Sequence, residues 1–97
     1  MLQAQPGQGD ALAQILLEAA RLVSSAPGCH VYLISTDEAH PDGVWVTEAW
    51  DSKEAHDESL KDEAVRALIG KAMPLLAGAP AKGQTLTILG GLGVPSA

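Results

Sequence analysis

Apolar residues recur along this chain with two different periods. The opening MLQAQ is long enough for one short strand and is closed by Pro6-Gly7. Leu12, Ile15, Leu16, Ala19, Leu22 and Val23 then fall three or four apart, which makes one stripe of a helix with Asp10 as its predicted N-cap. Ser24-Ser25-Ala26-Pro27-Gly28 ends that helix. Cys29 to Thr36, CHVYLIST, is rich in β-branched and aromatic residues and predicts a strand. Val44 to Trp50, VWVTEAW, predicts its antiparallel return, with Pro41-Asp42-Gly43 as the turn of the connecting loop. Asp51 or Ser52 starts the next helix, and Asp51 with Glu54 has the spacing of a capping box. Ser59 followed by Asp62 is a second capping signal, which predicts two helical pieces with a break near Glu58-Ser59. Val65, Leu68, Ile69 and Ala72 share one face of the second piece, Gly70 weakens it, and Pro74 ends or kinks it. Ala77 to Lys82 reads as a loop and Gln84 to Leu89 as a last strand, leaving a short tail over 89–97.

The order strand, helix, strand, strand, helix, strand predicts an α+β fold of the ferredoxin-like βαββαβ type, an antiparallel sheet with two helices on one face. The strands do not alternate cleanly. Cys29, Val31 and Leu33 would share one face of the second strand, and His30, Tyr32 and Ile34 the other. In the third strand Val44, Val46 and Trp50 share a face, with Trp45 and Ala49 on the opposite one. Both faces therefore need cover. The helices supply one cover, and a second copy of the chain is the simplest supply of the other, which predicts a homodimer.

Composition narrows the partners. The 97 residues suit a single domain over 1–97, and 46% hydrophobic content is generous for that length. Twelve acidic residues against six basic ones give a formal charge of −6. The six basic residues form no stripe, so neither nucleic acid nor an anionic membrane surface is an expected partner. No apolar run is long enough to span a bilayer, and the N-terminus lacks the basic and apolar regions of a signal peptide. Cys29 is the single cysteine, which forbids an internal disulfide and points to a cytoplasmic location. The three histidines have no metal-ligand spacing, and Gly90-Gly91-Leu92-Gly93 has no following helix, so neither a metal site nor a phosphate loop is expected.

Three segments carry a resemblance. Gln5-Pro6-Gly7, Pro27-Gly28-Cys29-His30-Val31-Tyr32 and Glu48-Ala49-Trp50-Asp51-Ser52-Lys53-Glu54-Ala55-His56 stand in the order and spacing of the antibiotic biosynthesis monooxygenase domain, which the sequence resembles over nearly its whole length. The resemblance implies a dimeric α+β barrel, with a small apolar cavity between sheet and helices. It also implies oxygenation of a small electron-rich aromatic or quinol without metal or flavin, where the protein supplies desolvation, orientation and a proton acceptor. Another branch of the family degrades haem. The chain has no asparagine, so that branch's triad cannot be present, and its haem-ligating histidine would fall near Leu68 or Ile69. Many members carry a histidine where Ser59 stands. Only five residues precede Pro6, so the first strand is short or Met1 is not the natural start.

Within that frame His56 is the candidate catalytic base, because imidazole suits proton abstraction near neutral pH. Its bland alternative is a solvated side chain on a charged helix. Trp50, Tyr32, Leu68 and Ser59 are the candidate substrate-binding residues. Trp50 reads first as a packing anchor and second as a substrate contact. Glu48 reads first as a charge at the dimer contact or a partner for a lysine or arginine, and second as a base in an apolar cavity. His30 is most simply a strand-face side chain, His40 an exposed loop residue, and Cys29 a small core residue. The alternative function is a non-catalytic dimeric barrel that binds a small apolar molecule.

Overall fold

The computed structural model describes residues 1–78 and position 89. Its elements are β1 (Leu2–Gln3), α1 (Gly9–Val23), β2 (Cys29–Asp37), β3 (His40–Trp50), α2 (Lys53–Ser59), α3 (Glu63–Ala72) and a 3-10 turn (Met73–Leu75). The described strands form one antiparallel sheet in the order β1-β3-β2. With the helices packed on one face, this is the ferredoxin-like α+β arrangement. The strand predicted over residues 84–89 and the tail beyond it lie outside the described residues, position 89 excepted.

β1 is shorter than MLQAQ suggested. Past Gln3 its line continues only as an isolated bridge between Ala4 and Leu76. Two backbone hydrogen bonds, Gln5 N to Leu75 O (2.7 Å) and Ala77 N to Gln3 O (2.8 Å), clamp residues 75–77 along the outer edge of β1. The core forms where this edge meets α1 and β3. Leu12 and Val44 are fully buried there, joined by Ala4, Ala72 and Leu76, with Leu16 and Ile34 packed against them. Truncating Leu12 to alanine would cost about 2–5 kcal/mol.

The N-terminus of α1 departs from expectation. Asp10 lies in the first turn, not at the cap, and Gln8 occupies the cap position without a side-chain hydrogen bond. The carboxylate of Asp42 does the work from β3: Oδ1 accepts from Gly9 N (3.1 Å) and Oδ2 from Gly7 N (3.2 Å). This satisfies donors that the helix cannot satisfy itself and sets a negative charge against the positive end of its dipole. The approach is so close that a Cβ on Gly9 would lie 2.8 Å from the carbonyl oxygen of Pro41. Pro41-Asp42-Gly43 is therefore no turn. The hairpin reverses at Glu38-Ala39, where Asp37 Oδ1 accepts from Ala39 N (2.9 Å). Residues 41–43 are accommodated in β3 as an irregularity between the Thr36–Val44 and Asp37–His40 pairs.

A second irregularity falls at His30. Cys29 pairs with Trp50 and Val31 with Ala49, so His30 is an extra residue in β2 and the simple alternation breaks there. Beyond it the register is regular, with Tyr32 opposite Glu48 and Ile34 opposite Val46. The other face carries Val31, Leu33, Trp45 and Ala49, and Leu33 is 56% exposed.

After β3 the chain enters α2 with Ser52 as N-cap, its Oγ accepting from Ala55 N (3.1 Å). Asp51 is not the cap. α3 is capped by Asp62, whose Oδ1 accepts from Ala64 N and Val65 N. Ser59 closes α2 rather than opening α3, donating from Oγ to the His56 carbonyl oxygen (2.6 Å). The break between the two pieces thus falls at Leu60–Asp62. Among the described residues no helix is long and apolar enough to cross a membrane.

Candidate active site

The two-piece form of the second helical region is what opens the site. α2 turns back over the end of β3, while α3 packs on α1. Between these helices and the sheet lies a partly open cavity of about 160 Å³. Ile15, Leu16, Ala19 and Val23 of α1 form one wall, and Val65, Leu68, Ile69 and Ala72 of α3 another. The sheet contributes Leu2, Tyr32 and Glu48, and α2 contributes His56 and Ser59. Among the described residues, twelve of the sixteen that line it are apolar, and the four polar ones are Tyr32, Glu48, His56 and Ser59.

Of the residues picked out from the sequence, the structure brings His56, Tyr32, Ser59 and Leu68 together around this cavity. Trp50 stands outside the lining. Its indole Nε1 donates to Glu48 Oε1 (3.0 Å), and its ring meets the His56 imidazole edge-on at a centroid distance of 5.6 Å. Trp50 is thus a support for two cavity residues rather than a wall. His30 is also elsewhere: its Nε2 bonds Asp51 on the outer side of the strand-to-helix turn. His40 is exposed and packs edge-on against Trp45.

Glu48 is the electrostatic centre of the polar end. Its side chain is 29% exposed, and Oε1 lies 3.7 Å from His56 Nε2, near enough for charge attraction and too far for a direct hydrogen bond. The other imidazole nitrogen, Nδ1, bonds Asp57 Oδ1 (3.2 Å). Burial pushes the Tyr32 hydroxyl up to about 12, with the negative charge of Glu48 and then Cys29 adding to it. The Cys29 thiol is raised by burial and then by Glu48. Tyr32 is therefore a neutral hydrogen-bond donor at any ordinary pH, and Cys29 is a thiol rather than a nucleophilic thiolate. From the sequence Glu48 reads first as a charge at the dimer contact or a partner for a basic residue, and not as one of the leading site residues. The register signal that could have promoted it is its position opposite Tyr32, since cross-strand partners share a face.

The family model for antibiotic biosynthesis monooxygenase matches residues 1–71. The chain belongs to the antibiotic biosynthesis monooxygenase family. A crystal structure from Chloroflexus aurantiacus J-10-fl, provisionally assigned to the same family, is 40% identical over 89% of this chain and 92% of its own, with a TM-score of 0.72. A Deinococcus radiodurans structure with the same provisional assignment is 29% identical, covers 92% of this chain and 93% of its own, and has a TM-score of 0.69. A third such structure, from Caulobacter crescentus CB15, is 26% identical over 82% of this chain and 76% of its own, with a TM-score of 0.75. No curated protein is significantly similar to the chain. The family match covers β1 through most of α3, so it includes Tyr32, Glu48, Trp50, His56, Ser59 and Leu68.

Proposed function

We propose that this member of the family is a monooxygenase that applies dioxygen directly to a small, electron-rich phenol or hydroquinone bound in the cavity, without metal or organic cofactor. The observation that carries this reading is the meeting of His56, Glu48 and Tyr32 at the polar end of an otherwise apolar cavity. Asp57 accepts from Nδ1 of His56, which leaves Nε2 as the basic nitrogen facing Glu48 and the cavity. Nε2 takes the proton of the substrate hydroxyl, and the Glu48 carboxylate stabilises the imidazolium that forms. The Tyr32 hydroxyl donates to the resulting phenolate oxygen, a charge-assisted bond. The apolar walls keep water from that anion and keep its electrons available to dioxygen.

For a phenol with a free para carbon the balance is complete. The phenolate passes one electron to dioxygen, and the two radicals join in a carbon–oxygen bond at the para position. The hydroperoxide then loses water, using a proton returned by His56, and the product is a quinone. One oxygen atom enters the substrate, the other leaves as water, and dioxygen is the sole oxidant.

Oxygen uptake with a panel of phenols and hydroquinones tests this, with His56→Ala beside the native chain. Uptake that collapses in the variant supports the assignment. Saturable binding with no uptake favours the alternative, a barrel that only holds an apolar ligand. The open sheet face supports a homodimer as the working unit, because Leu33 is 56% exposed and shares that face with Trp45, Val31 and Ala49. Sedimentation at micromolar concentration would show two copies, and a stable single copy would remove the dimer from the account.

A further inference from the structure

The charges around the cavity are one-sided. Glu48 is the sole carboxylate among the described residues that line it, and no lysine or arginine joins it there. The five described basic residues, Arg21, Lys53, Lys61, Arg66 and Lys71, are all exposed and stand outside the lining. Lys61 is already held by Glu58 at 2.8 Å. Glu48 meets the Trp50 indole at 3.0 Å and His56 Nε2 at 3.7 Å, with Tyr32 opposite it on β2, and none of these is a permanent cation.

Tyr32 shows how this setting treats an anion. It is a phenol at the same polar end, and its hydroxyl is pushed up to about 12, first by burial, then by the charge of Glu48 and by Cys29. A phenolate there loses its water and faces a like charge. The substrate phenolate of the proposed reaction differs in one respect. Its proton stays beside it on His56, so the transfer makes an anion and a cation together and leaves the net charge of the site unchanged.

An acid group on the ring has no such partner. It arrives ionised, with its proton left in bulk water, and adds a second negative charge to the site. An unpaired charge in apolar surroundings is costly. A ring whose hydroxyl reaches His56 holds any second substituent only a ring's width further on, and at 0.1 M salt charges act over about 10 Å.

We infer that the substrate carries no acid group, and that Glu48 is the residue that turns acidic phenols away. The ligand class is an uncharged phenol or hydroquinone, and carboxylated or sulfonated rings of the same size are refused. The inference rests on the reading above and adds to it the charge of the ligand. Glu48 then sets specificity as well as stabilising the imidazolium.

Calorimetric binding of meta-hydroxybenzamide and meta-hydroxybenzoate tests this without needing turnover. The two phenols are nearly equal in size, and both leave the carbon para to the hydroxyl free. At about pH 8 an ordinary imidazole is neutral, both phenols keep their hydroxyl proton, and only the benzoate is charged. The native chain should prefer the amide by about thirtyfold or more, the effect of a like charge some 8 Å away in a partly buried site. Glu48→Gln keeps the size and an oxygen for the Trp50 indole, and should cut that preference by about tenfold through tighter binding of the benzoate. Asp51→Asn, which removes an exposed carboxylate from the outer side of the turn, should leave it within about twofold. Benzoate binding as tightly as the amide would overturn the inference, as would a preference that survives Glu48→Gln intact. An equal loss of preference in Asp51→Asn would assign the effect to overall charge and overturn it too. Failure of both phenols to bind would overturn it together with the reading above. Selective binding of the amide without oxygen uptake would sink the oxygenase reading and leave the selectivity standing. Uptake as fast and as tightly saturated with the benzoate as with the amide would do the reverse.

Discussion

Two histidine–carboxylate pairs flank the turn that follows β3. His30 with Asp51 lies on the outside, and His56 with Glu48 lies at the end of the cavity. The two histidines are almost equally exposed, 31% and 35%, so access to water does not separate them. The carboxylates do: Asp51 is 64% exposed and Glu48 29%. Asp51 spends its charge in water. Glu48 is close enough to Tyr32 and Cys29 to raise both of their ionisations, and Trp50 holds it by an indole hydrogen bond. A histidine beside a carboxylate is a common surface arrangement worth at most about 1 kcal/mol. It becomes a candidate for proton transfer when the pair adjoins an apolar volume that can hold a substrate.

The comparison breaks most visibly in the rate. His56→Ala should lower oxygen uptake by roughly a hundredfold or more, the usual weight of a positioned base. His30→Ala should leave uptake within about twofold, because an exposed pair contributes little. Equal losses in the two variants would erase the distinction. Tyr32→Phe comes next. It removes one donor to the phenolate, a bond worth about 1.5–3 kcal/mol, so kcat/KM should fall by about tenfold to a hundredfold.

The third test uses the fact that Tyr32 is the single tyrosine, so phenolate absorbance reports one residue. In the folded chain it should ionise at about 12, against about 10 in an unfolded chain. Between those values the folded state binds more protons, so stability should be full below about pH 10 and fall as the pH rises through that window. Glu48→Gln should lower the Tyr32 midpoint by removing the neighbouring charge, while burial keeps it above the ordinary value. Asp51→Asn should leave it in place. The smallest effect belongs to the outer pair itself: His30→Ala should shift stability by no more than about 0.5 kcal/mol in denaturant unfolding.

The fold was legible where local signals and packing agree. The stripe from Leu12 to Val23, the hairpin strands and the interrupted second helical region all follow from periodicity and capping residues. The errors arose where a residue serves a distant part of the chain. Asp42 looks like turn chemistry between Pro41 and Gly43, yet its carboxylate caps α1, more than thirty residues away in sequence. Asp10 was the nearer candidate cap because spacing cannot register a partner from another element. The extra residue at His30 likewise has no signal in an apolar–polar pattern, and it sends the histidine to Asp51 instead of into the pocket. In the site, His56, Tyr32, Ser59 and Leu68 could be named from the sequence as residues to watch. Their common cavity could not, because it depends on how far α2 turns back over β3.

The open sheet face and the cavity are separate claims, and the second is central. Turnover of a phenol under oxygen-18 gas, with the product weighed by mass spectrometry, tests it most directly. The account predicts one labelled oxygen atom in the quinone, with labelled water as the other product and the yield collapsing in His56→Ala. A product carrying no label, or the same labelled yield from His56→Ala as from the native chain, would contradict it.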